Sequence, residues 1–370
     1  MTPEALTTLL KQPLYGEAST ERRAHLLSEM RDVTRHHIEH CQPYARFCAS
    51  RGVDPEAIAS LEDVPYLPTA LFKDALLLSV PEDEVFREVR SSATSSGRPS
   101  RVGLDKANNR RWTLSMQRML LERIGDRRLR TMVLDEPSVL GRGEVLSARA
   151  SMTRSLLFSS SETGTCMRAD DGQLSLDMDT LEGFLRSADD GTDTMLFGFT
   201  FILYVHVVKP LLDAGKTFDL PHLKVVHAGG WKKLEGLRVS RDKLVEDCAA
   251  CFGVPAGNVV DIYGFSEQGG LLYPTCEEGV RHTPRWSEVI CRDPLSLEPQ
   301  LEGRSGLMQF LTPIQTSYPG HSIITEDVGT ILGRDDCACG RKGTTFVVSG
   351  RSEQATEERG CGDIMAEMFA

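Results

Sequence analysis

After residue 90 the chain alternates between short runs rich in β-branched residues and stretches with helical periodicity. The β-branched runs end near glycine or aspartate and predict strands at Thr131–Asp135, Leu223–His227, Val259–Tyr263, Leu307–Leu311, Ile323–Leu332 and Thr344–Val348. Helices are predicted between several of them, at Arg110–Gly125, Thr180–Ala188 and Val239–Cys251. This alternation predicts an α/β fold, in which mixed or parallel sheets carry helices on their faces.

The first third of the chain is predicted to be helical. Between Glu21 and Ala49, apolar residues recur at intervals of three and four, which gives a helix one buried stripe. Arg51-Gly52 then ends that helix. Neither a linker nor an internal repeat divides the 370 residues, although this length exceeds that of an average domain.

The charge of the chain limits the partners it can have. It carries 42 basic and 53 acidic residues, a formal net charge of −11, and the acidic residues are spread along its length. Such a chain is repelled by nucleic acids and by anionic membrane surfaces, so we expect neither as a partner. The apolar stretch Met195–Val208 is too short to span a bilayer and predicts a buried segment instead.

The ten cysteines indicate a reducing compartment. The first residues lack the basic flank and apolar core of a secretory signal, and free thiols are typical of the cytoplasm. We therefore predict a cytoplasmic protein whose cysteines bind metal, take part in catalysis or simply pack in the core.

Ligands of open α/β sheets bind at turns that follow strands, and four segments have suitable residues there. In Ser91–Arg101, five of the first six residues carry hydroxyl groups, and a glycine and a proline follow them. Such a loop can surround phosphate oxygens, although it lacks the Gly-Lys-Ser/Thr ending of a Walker A loop. The alternative is an ordinary surface loop.

The second and third segments each join an apolar strand to a turn that contains glycine. In Leu223–Lys233 the strand ends at Gly229-Gly230, which lets the backbone approach a flat ligand, while a lysine that follows can reach phosphate. In Val259–Gly270, Glu267 can hold Mg²⁺. The alternatives are a plain strand-to-helix turn and a glutamate in the first turn of a helix.

The fourth segment combines Ile324–Gly329 with Val347–Arg351. Asp327 lies at a predicted strand end, where its carboxylate can accept hydrogen bonds from both hydroxyls of a ribose. Arg351 can donate to the same sugar or to phosphate. Aspartate followed by glycine is also common in turns without any ligand.

The order of these four segments resembles that of the adenylate-forming superfamily of acyl and aryl ligases, over most of residues 60 to 351. Leu67–Lys73, the Gly-Gly-Trp-Lys turn and Arg359–Asp363 are most similar to the acyl-protein synthetase branch of bacterial bioluminescence, and less similar to phenylacetate–CoA ligase. The resemblance implies an N-terminal adenylation domain of mixed sheets flanked by helices over residues 1–350. It also implies a C-terminal domain reduced to a short tail, residues 351–370.

The resemblance also implies roles for single residues, with ATP and Mg²⁺ as cofactors. The ATP phosphates would be held by Ser92, Thr94, Ser95, Ser96 and Gly97. The adenine and AMP cradle would consist of Ala228, Gly229, Gly230, Tyr263, Gly264, Phe265 and Ser266. Glu267 would bind Mg²⁺, Asp327 the ribose, and Arg351 the nucleotide. The implied reaction converts a fatty or aryl carboxylic acid and ATP to an acyl-adenylate, whose acyl group then passes to a nucleophile.

This sequence departs from the superfamily pattern in the phosphate loop and near its end. Thr94 stands where glycine is usual, and Ser100 stands where lysine is usual. The catalytic lysine of the C-terminal domain has no counterpart, because no lysine follows Lys342. Either Lys73, Lys232 or Lys233 takes its place or adenylation is slow, and Lys232 is our catalytic candidate.

Cys361 lies between two glycines in an acidic C-terminal segment. The resemblance implies that this thiol accepts the acyl group as a thioester and passes it to an acceptor protein, such as a reductase or a carrier protein. As a thiolate it would be an effective nucleophile, and Arg359 is the nearby positive charge that favours this form. The alternative is a cysteine without a role in a terminus that tolerates change.

Two other functions remain open from the sequence. The adenylated acyl group can instead pass to an amine, a hydroxyl, coenzyme A or a carrier-protein thiol in a biosynthetic pathway. The missing lysine also allows a nucleotide-binding homologue that does not catalyse the reaction. The identity of the transferred product separates these alternatives.

Cys276, His282, Cys337 and Cys339 are candidate ligands of a structural zinc ion. Three thiolates and an imidazole form a set that Zn²⁺ prefers, although Cys-x-Cys is tighter than the usual spacing. Ligases of the phenylacetate type sometimes carry zinc in the corresponding region, and the resemblance therefore supports this assignment. The alternative is that these cysteines are small buried hydrophobic residues.

Overall fold

The structure is a computed structural model, which describes residues 3–91, 98–141, 152–154, 156–170, 173–187, 193–231, 236–352, 364 and 367–369. The helices are α1 (Pro3–Leu9), α2 (Ser19–His40), α3 (Gln42–Ser50), α4 (Leu71–Asp74), α5 (Lys106–Ile124), α6 (Met178–Ser187), α7 (Thr200–Ile202), α8 (Lys209–Asp213) and α9 (Arg241–Phe252). The first eight strands are β1 (Leu67–Pro68), β2 (Arg87–Arg90), β3 (Arg101–Leu104), β4 (Leu129–Val133), β5 (Ser160–Thr165), β6 (Met167–Asp170), β7 (Gln173–Leu176) and β8 (Thr194–Phe199). The others are β9 (Lys224–Ala228), β10 (Val259–Tyr263), β11 (Tyr273–Pro274), β12 (Arg281–His282), β13 (Glu288–Arg292), β14 (Ser305–Leu311), β15 (Ser322–Arg334) and β16 (Thr344–Arg351).

The first sheet is mostly parallel and has the strand order β11-β10-β9-β8-β4-β5. Strands β10, β9, β8, β4 and β5 are parallel to their neighbours, and β11 is antiparallel to β10. Buried Val225, Val226 and Val260 fill its centre because helices cover its faces. All five parallel strands end at the same edge, so the turns after them lie side by side.

The second sheet is mixed. Strands β12, β16, β15, β14 and β13 follow one another in antiparallel pairs, and β1 pairs in parallel with β15. Together with the first sheet it confirms the predicted α/β class. The two sheets meet where β10 ends, because the rings of Tyr263 and Phe265 lie 5.5 and 5.2 Å from that of Phe310 on β14.

The N-terminal region is helical as predicted, but the single helix expected from Glu21 to Ala49 is two helices. Helix α2 ends at His40 and α3 begins at Gln42, with Cys41 in an extended conformation between them. Pro43 explains the break, because a proline is tolerated in the first turn of a helix but not in its interior. The apolar periodicity continues across this break, and so the pattern alone predicts one helix.

The apolar stretch Met195–Val208 is buried as predicted. It forms most of β8, then α7, and then one π-helical segment, Leu203–Val208, that leads into α8. Met195, Leu196, Ile202 and Val207 are fully enclosed in the core. Within the described ranges, no helix combines the length and the apolar composition that crossing a membrane requires.

Candidate active site

The turn after β9 is shaped by two neighbouring residues on β8 and α7. Gly229 has a φ of +74°, and a Cβ at this position would lie 3.1 Å from the ring of Phe199. The Thr200 hydroxyl lies 2.6 Å from the carbonyl oxygen of Gly229 and 2.9 Å from Nδ1 of His227. Ala228 is fully buried, whereas no residue that the structure describes lies within 4 Å of a Cβ at Gly230.

The turn after β10 lies beside it. Ile262 pairs with Ala228 in the parallel ladder, so Tyr263 comes next to Gly229 at the same sheet edge. The chain folds back over Gly264. A Cβ at this position would lie 3.0 Å from the carbonyl oxygen of Leu271 and 3.0 Å from a methyl group of Leu272. Phe265 and Ser266 continue the turn into Glu267.

Tyr263 connects this edge to the second sheet. Its hydroxyl donates a hydrogen bond to Oδ2 of Asp327 on β15, at 2.7 Å. Arg351 is paired with Asp327 across β15 and β16, and its Nε lies 3.8 Å from Oδ1. Burial raises the pKa of Asp327, while the Tyr263 hydrogen bond and the Arg351 charge act in the opposite direction. Three predicted site residues therefore form one polar group.

Glu267 is a buried carboxylate, with 7% of its surface exposed. Burial raises its pKa, and this rise is opposed by the neighbouring Ser100 hydroxyl, by its own backbone and by the charges of Lys73 and Arg351. It forms no ion pair with any residue that the structure describes. Its oxygens are ligands of the kind that a hard divalent cation takes.

The Glu267 turn is held from behind by a loop between β14 and β15. The Tyr318 hydroxyl donates to the carbonyl oxygen of Glu267 at 2.7 Å. Gln268 donates to the carbonyl oxygen of Gly320 at 2.9 Å, and Gln315 donates to that of Gly269 at 3.0 Å. The sequence analysis missed these supports, because neither their residue types nor their spacing indicates a contact with a turn about 50 residues away.

Several predicted residues lie outside the described ranges. They are the phosphate-binding candidates Ser92, Thr94, Ser95, Ser96 and Gly97, the catalytic candidate Lys232 and the acyl-acceptor candidate Cys361. Their roles stay predictions.

The four candidate zinc ligands come together at the edge of the second sheet. One ligand atom from each of Cys276, His282, Cys337 and Cys339 lies within 4.8 Å of the others. The Sγ atoms of Cys276 and Cys337 are 3.9 Å apart, and Sγ of Cys339 lies 3.3 Å from Nε2 of His282. His282 lies on the edge strand β12, and the three cysteines lie in two turns. These ligands are up to 63 positions apart in the sequence.

The electrostatic surroundings of this cluster differ from one ligand to the next. Burial raises the pKa of Cys276, and raises that of Cys337 to about 12. Burial also acts on Cys339, but hydrogen bonds from Arg341 outweigh it and lower the pKa of that thiol. Burial lowers the pKa of His282 to about 4, which keeps its imidazole neutral and able to bind a metal.

A comparison with protein families identifies the kind of protein to which this architecture belongs. The family described as "Acyl-protein synthetase, LuxE" matches residues 11–370. The chain belongs to this family. The predicted membership is thereby confirmed, on a match that covers nearly the whole sequence.

Two curated relatives of this acyl-protein synthetase family member carry the same name, long-chain-fatty-acid–luciferin-component ligase. The protein from Vibrio harveyi is 26% identical over 344 residues, which cover 90% of this chain and 85% of the relative. The protein from Aliivibrio fischeri is 22% identical over 313 residues, which cover 82% of this chain and 78% of the relative.

Solved structures of an adenylate-forming ligase share the fold. An open conformation of 2-hydroxyisobutyryl-CoA ligase, in complex with 2-HIB-AMP and CoA, superposes with a TM-score of 0.68 at 16% identity. The match covers 91% of this chain and 76% of that one. The same ligase in its postadenylation state, in complex with 2-HIB-AMP, gives a TM-score of 0.67. The predicted fold, an adenylate-forming domain, is confirmed.

The family and the fold together establish the class of reaction. The protein is an ATP-dependent acid–thiol ligase of the acyl-protein synthetase type, which activates a carboxylic acid as an acyl-adenylate and transfers the acyl group to a cysteine thiol. This confirms the predicted enzyme class. The class of reaction does not identify the catalytic residues, the acid or the metal ions.

Proposed function

We propose that the protein activates a long-chain fatty acid at the shared edge of β9, β10 and β15 and transfers the acyl group first to Cys361 and then to an acceptor protein. The observation that carries this proposal is the group formed by Tyr263, Asp327 and Arg351 beside the buried carboxylate of Glu267. The curated relatives, which are named for long-chain fatty acids, support the class of acid.

The nucleotide fits the polar and open parts of this edge. The carboxylate oxygens of Asp327 accept hydrogen bonds from the two hydroxyls of a ribose, and Tyr263 and Arg351 orient this carboxylate. The space beside Gly230 leaves room for a flat adenine, and Ala228 and Gly229 form the floor of that space. Gly264, Phe265 and Ser266 complete the cradle, and the hydroxyl-rich loop of Ser92–Gly97 would hold the phosphates.

Glu267 fits the role of Mg²⁺ ligand. Its carboxylate is buried and lacks an ion pair in the described part of the chain, so a divalent cation would offset the cost of keeping it charged. When bound, Mg²⁺ supplies positive charge to the phosphates of ATP. The hydrogen bond from the Tyr318 hydroxyl to the carbonyl oxygen of Glu267 keeps this turn in place.

The chemistry consists of two displacements. In the first, a carboxylate oxygen of the acid forms a bond to the α-phosphorus, the bond from that phosphorus to the bridging oxygen breaks, and pyrophosphate leaves with the electron pair. In the second, the thiolate of Cys361 attacks the acyl carbonyl and AMP leaves. The site contributes by holding two anions in line and neutralising their charge.

Intact-protein mass measurement tests the acceptor. Incubation with ATP, Mg²⁺ and a panel of saturated fatty acids should add one acyl group to the protein, and hydroxylamine should remove it as expected for a thioester. Cys361→Ala should keep pyrophosphate release and lose the adduct, whereas Cys166→Ala, at a buried cysteine after β5 and three strands from β9, should keep both. Normal acylation of Cys361→Ala would refute the role of this thiol, and a coenzyme A, amide or ester product would favour a different acceptor.

We also propose that Cys276, His282, Cys337 and Cys339 bind one structural Zn²⁺. Three thiol groups and a neutral imidazole with mutually close ligand atoms match the donor set and four-coordinate geometry of such sites. Metal analysis of the purified protein should find about one equivalent of zinc, and less than about half an equivalent contradicts the site.

The acceptor protein and the compartment follow from the same chemistry. A thioester-linked acyl group needs a partner that takes it up, and a reductase or a carrier protein offers the required nucleophile. The nine cysteines that the structure describes are all free, as a reducing environment would keep them. We therefore assign the protein to the cytoplasm.

A further inference from the structure

Adenylation brings together two anions, the carboxylate of the acid and the α-phosphate of ATP, and such an encounter requires a positive charge at the reacting atoms. Two cations, Lys73 and Arg351, act electrostatically on the Glu267 carboxylate. We propose that Lys73 is a catalytic residue whose ammonium group binds the carboxylate and α-phosphate oxygens during the attack. The inference rests on the proposed adenylation at this edge and adds a residue to it.

The backbone places Lys73 close to the ribose-binding strand. Strand β1 pairs in parallel with β15, with Leu67 opposite Ile323 and Pro68 opposite Ile324. The amide of Thr69 then donates to the carbonyl oxygen of Ile324 at 3.1 Å, and α4 begins two residues later. Asp327 lies three residues beyond Ile324 on the same strand.

Packing fixes α4 against the Glu267 turn. Leu71 and Phe72 are 0% and 1% exposed, so the short helix cannot shift without disturbing the core. The Phe72 ring makes an edge contact with the Tyr318 ring, with 6.0 Å between their centroids. The hydroxyl of that tyrosine donates to the carbonyl oxygen of Glu267. The contacts from Phe72 to Tyr318 and from Tyr318 to Glu267 therefore hold α4, which carries Lys73, against the Glu267 turn.

The neighbouring charges leave Lys73 available for a ligand. Asp74, the adjacent carboxylate, pairs instead with Arg98 at 2.9 Å. This ion pair ties α4 to the chain that follows the predicted phosphate loop. Lys73 is half-buried, and its ammonium group has no hydrogen bond or ion pair with any described residue. Its ammonium group is therefore free, among the described residues, to bind an anionic ligand.

The other cation has a different task. Arg351 lies near Asp327, and its side chain is 65% exposed. It is therefore suited to orienting the Asp327 carboxylate that binds the ribose, whereas the half-buried Lys73 is suited to the reacting groups. The attack itself moves no proton, since the carboxylate is already ionised and pyrophosphate leaves as an anion, so Lys73 stays charged throughout. The sequence analysis named Lys73, Lys232 and Lys233 for this role and favoured Lys232, which lies outside the described ranges.

Acid-dependent exchange of pyrophosphate into ATP tests this inference. Lys73→Met should lower the exchange rate about 100-fold, because it removes a charge felt mainly in the transition state. ATP affinity measured by calorimetry should change less than about threefold, and the melting temperature should stay the same because no described partner is lost. Lys73→Arg should recover about a tenth of the wild-type rate or more.

Lys224→Met is the matched control. Lys224 is also a half-buried lysine, but it lies at the start of β9, at the opposite end of that strand from the site, and bonds Oδ1 of Asn258 at 2.6 Å. This control should exchange pyrophosphate at the wild-type rate.

Two results would overturn the role of Lys73 while leaving the proposed function intact. They are a wild-type exchange rate in Lys73→Met, and a loss of rate that is matched by a lower melting temperature and by weaker ATP binding. Absence of exchange in the wild-type protein with every fatty and aryl acid would overturn the proposed function, and this inference with it.

Discussion

The candidate active site and the Cys/His cluster are both assembled from distant parts of the chain, but their polar groups are satisfied differently. At the active site the protein itself orients both acidic residues, since Tyr263 donates to the carboxylate of Asp327 and Tyr318 donates to the backbone carbonyl oxygen of Glu267. In the cluster, hydrogen bonds from the backbone and from Arg341 reach the thiols, but the four ligand atoms also face one another, and the Sγ atoms of Cys337 and Cys276 are 3.9 Å apart.

This difference indicates how each site relates to its ligand. A site whose nucleotide is bound and released in every cycle must keep its shape without it, so protein hydrogen bonds preorganise it. A set of thiols and an imidazole that face one another is stable only with a cation between them, and such ions are bound as part of folding. The active site should therefore tolerate loss of its ligand, whereas the cluster should not.

The largest effect should follow removal of the buried charge at the active site. Glu267→Gln should reduce pyrophosphate release about 1,000-fold at every Mg²⁺ concentration, or about 4 kcal/mol, because the proposed metal ligand is lost from a desolvated position. Its melting temperature should not fall, since the substitution removes a buried charge. Glu326→Gln, at a half-buried carboxylate next to Asp327, serves as the control. A Mg²⁺ titration that matches the wild type would remove Glu267 from the site.

The Cys/His cluster should respond with stability rather than with chemistry. Cys276→Ala should lose the bound zinc and about 3 kcal/mol of unfolding free energy, which lowers the melting temperature by about 5 °C. Cys291→Ala is the control, because Cys291 is also buried in the second sheet but does not belong to the cluster. If both variants keep zinc and melt together, the cluster has no metal-binding role.

The sequence predicted those parts of the site that depend on local signals. A β-branched run followed by glycine marks the ends of β9 and β10, and parallel strands necessarily bring such ends together. Tyr263 through Glu267 could therefore be assigned to one turn. The Cys/His cluster was recognisable because cysteine and histidine have few other reasons to occur in that combination.

Contacts that depend on the relation between sheets could not be predicted in the same way. The hydrogen bond from Tyr263 to Asp327 spans 64 positions and requires β10 of one sheet to face β15 of the other. The support from Tyr318 requires a particular path of the loop between β14 and β15. Helix α2 ends at His40 because of Pro43. The prediction of a single helix followed the apolar periodicity instead of this local signal.

The smallest predicted effect concerns the pH dependence of nucleotide binding. Tyr263→Phe should weaken ATP binding about tenfold, because a hydrogen bond to a charged group is lost. The Tyr263 hydroxyl stabilises ionised Asp327 and so lowers the pKa of that carboxyl; removing it raises the pKa further. Only the ionised form of Asp327 accepts hydrogen bonds from both ribose hydroxyls. As the pH is lowered, the affinity of the variant for ATP should therefore begin to fall at a higher pH than that of the wild type.

Calorimetric titration with ATP between about pH 5 and 8 measures this shift. Tyr273→Phe is the control, since Tyr273 is a buried tyrosine of the neighbouring strand whose hydroxyl lies 2.6 Å from that of Ser287, away from Asp327. A shift in Tyr263→Phe alone would establish that the protein, and not the nucleotide, sets the charge of Asp327. Parallel profiles for all three proteins would mean that Asp327 does not bind the ribose as an anion, and the contrast with the Cys/His cluster would then rest on Glu267 alone.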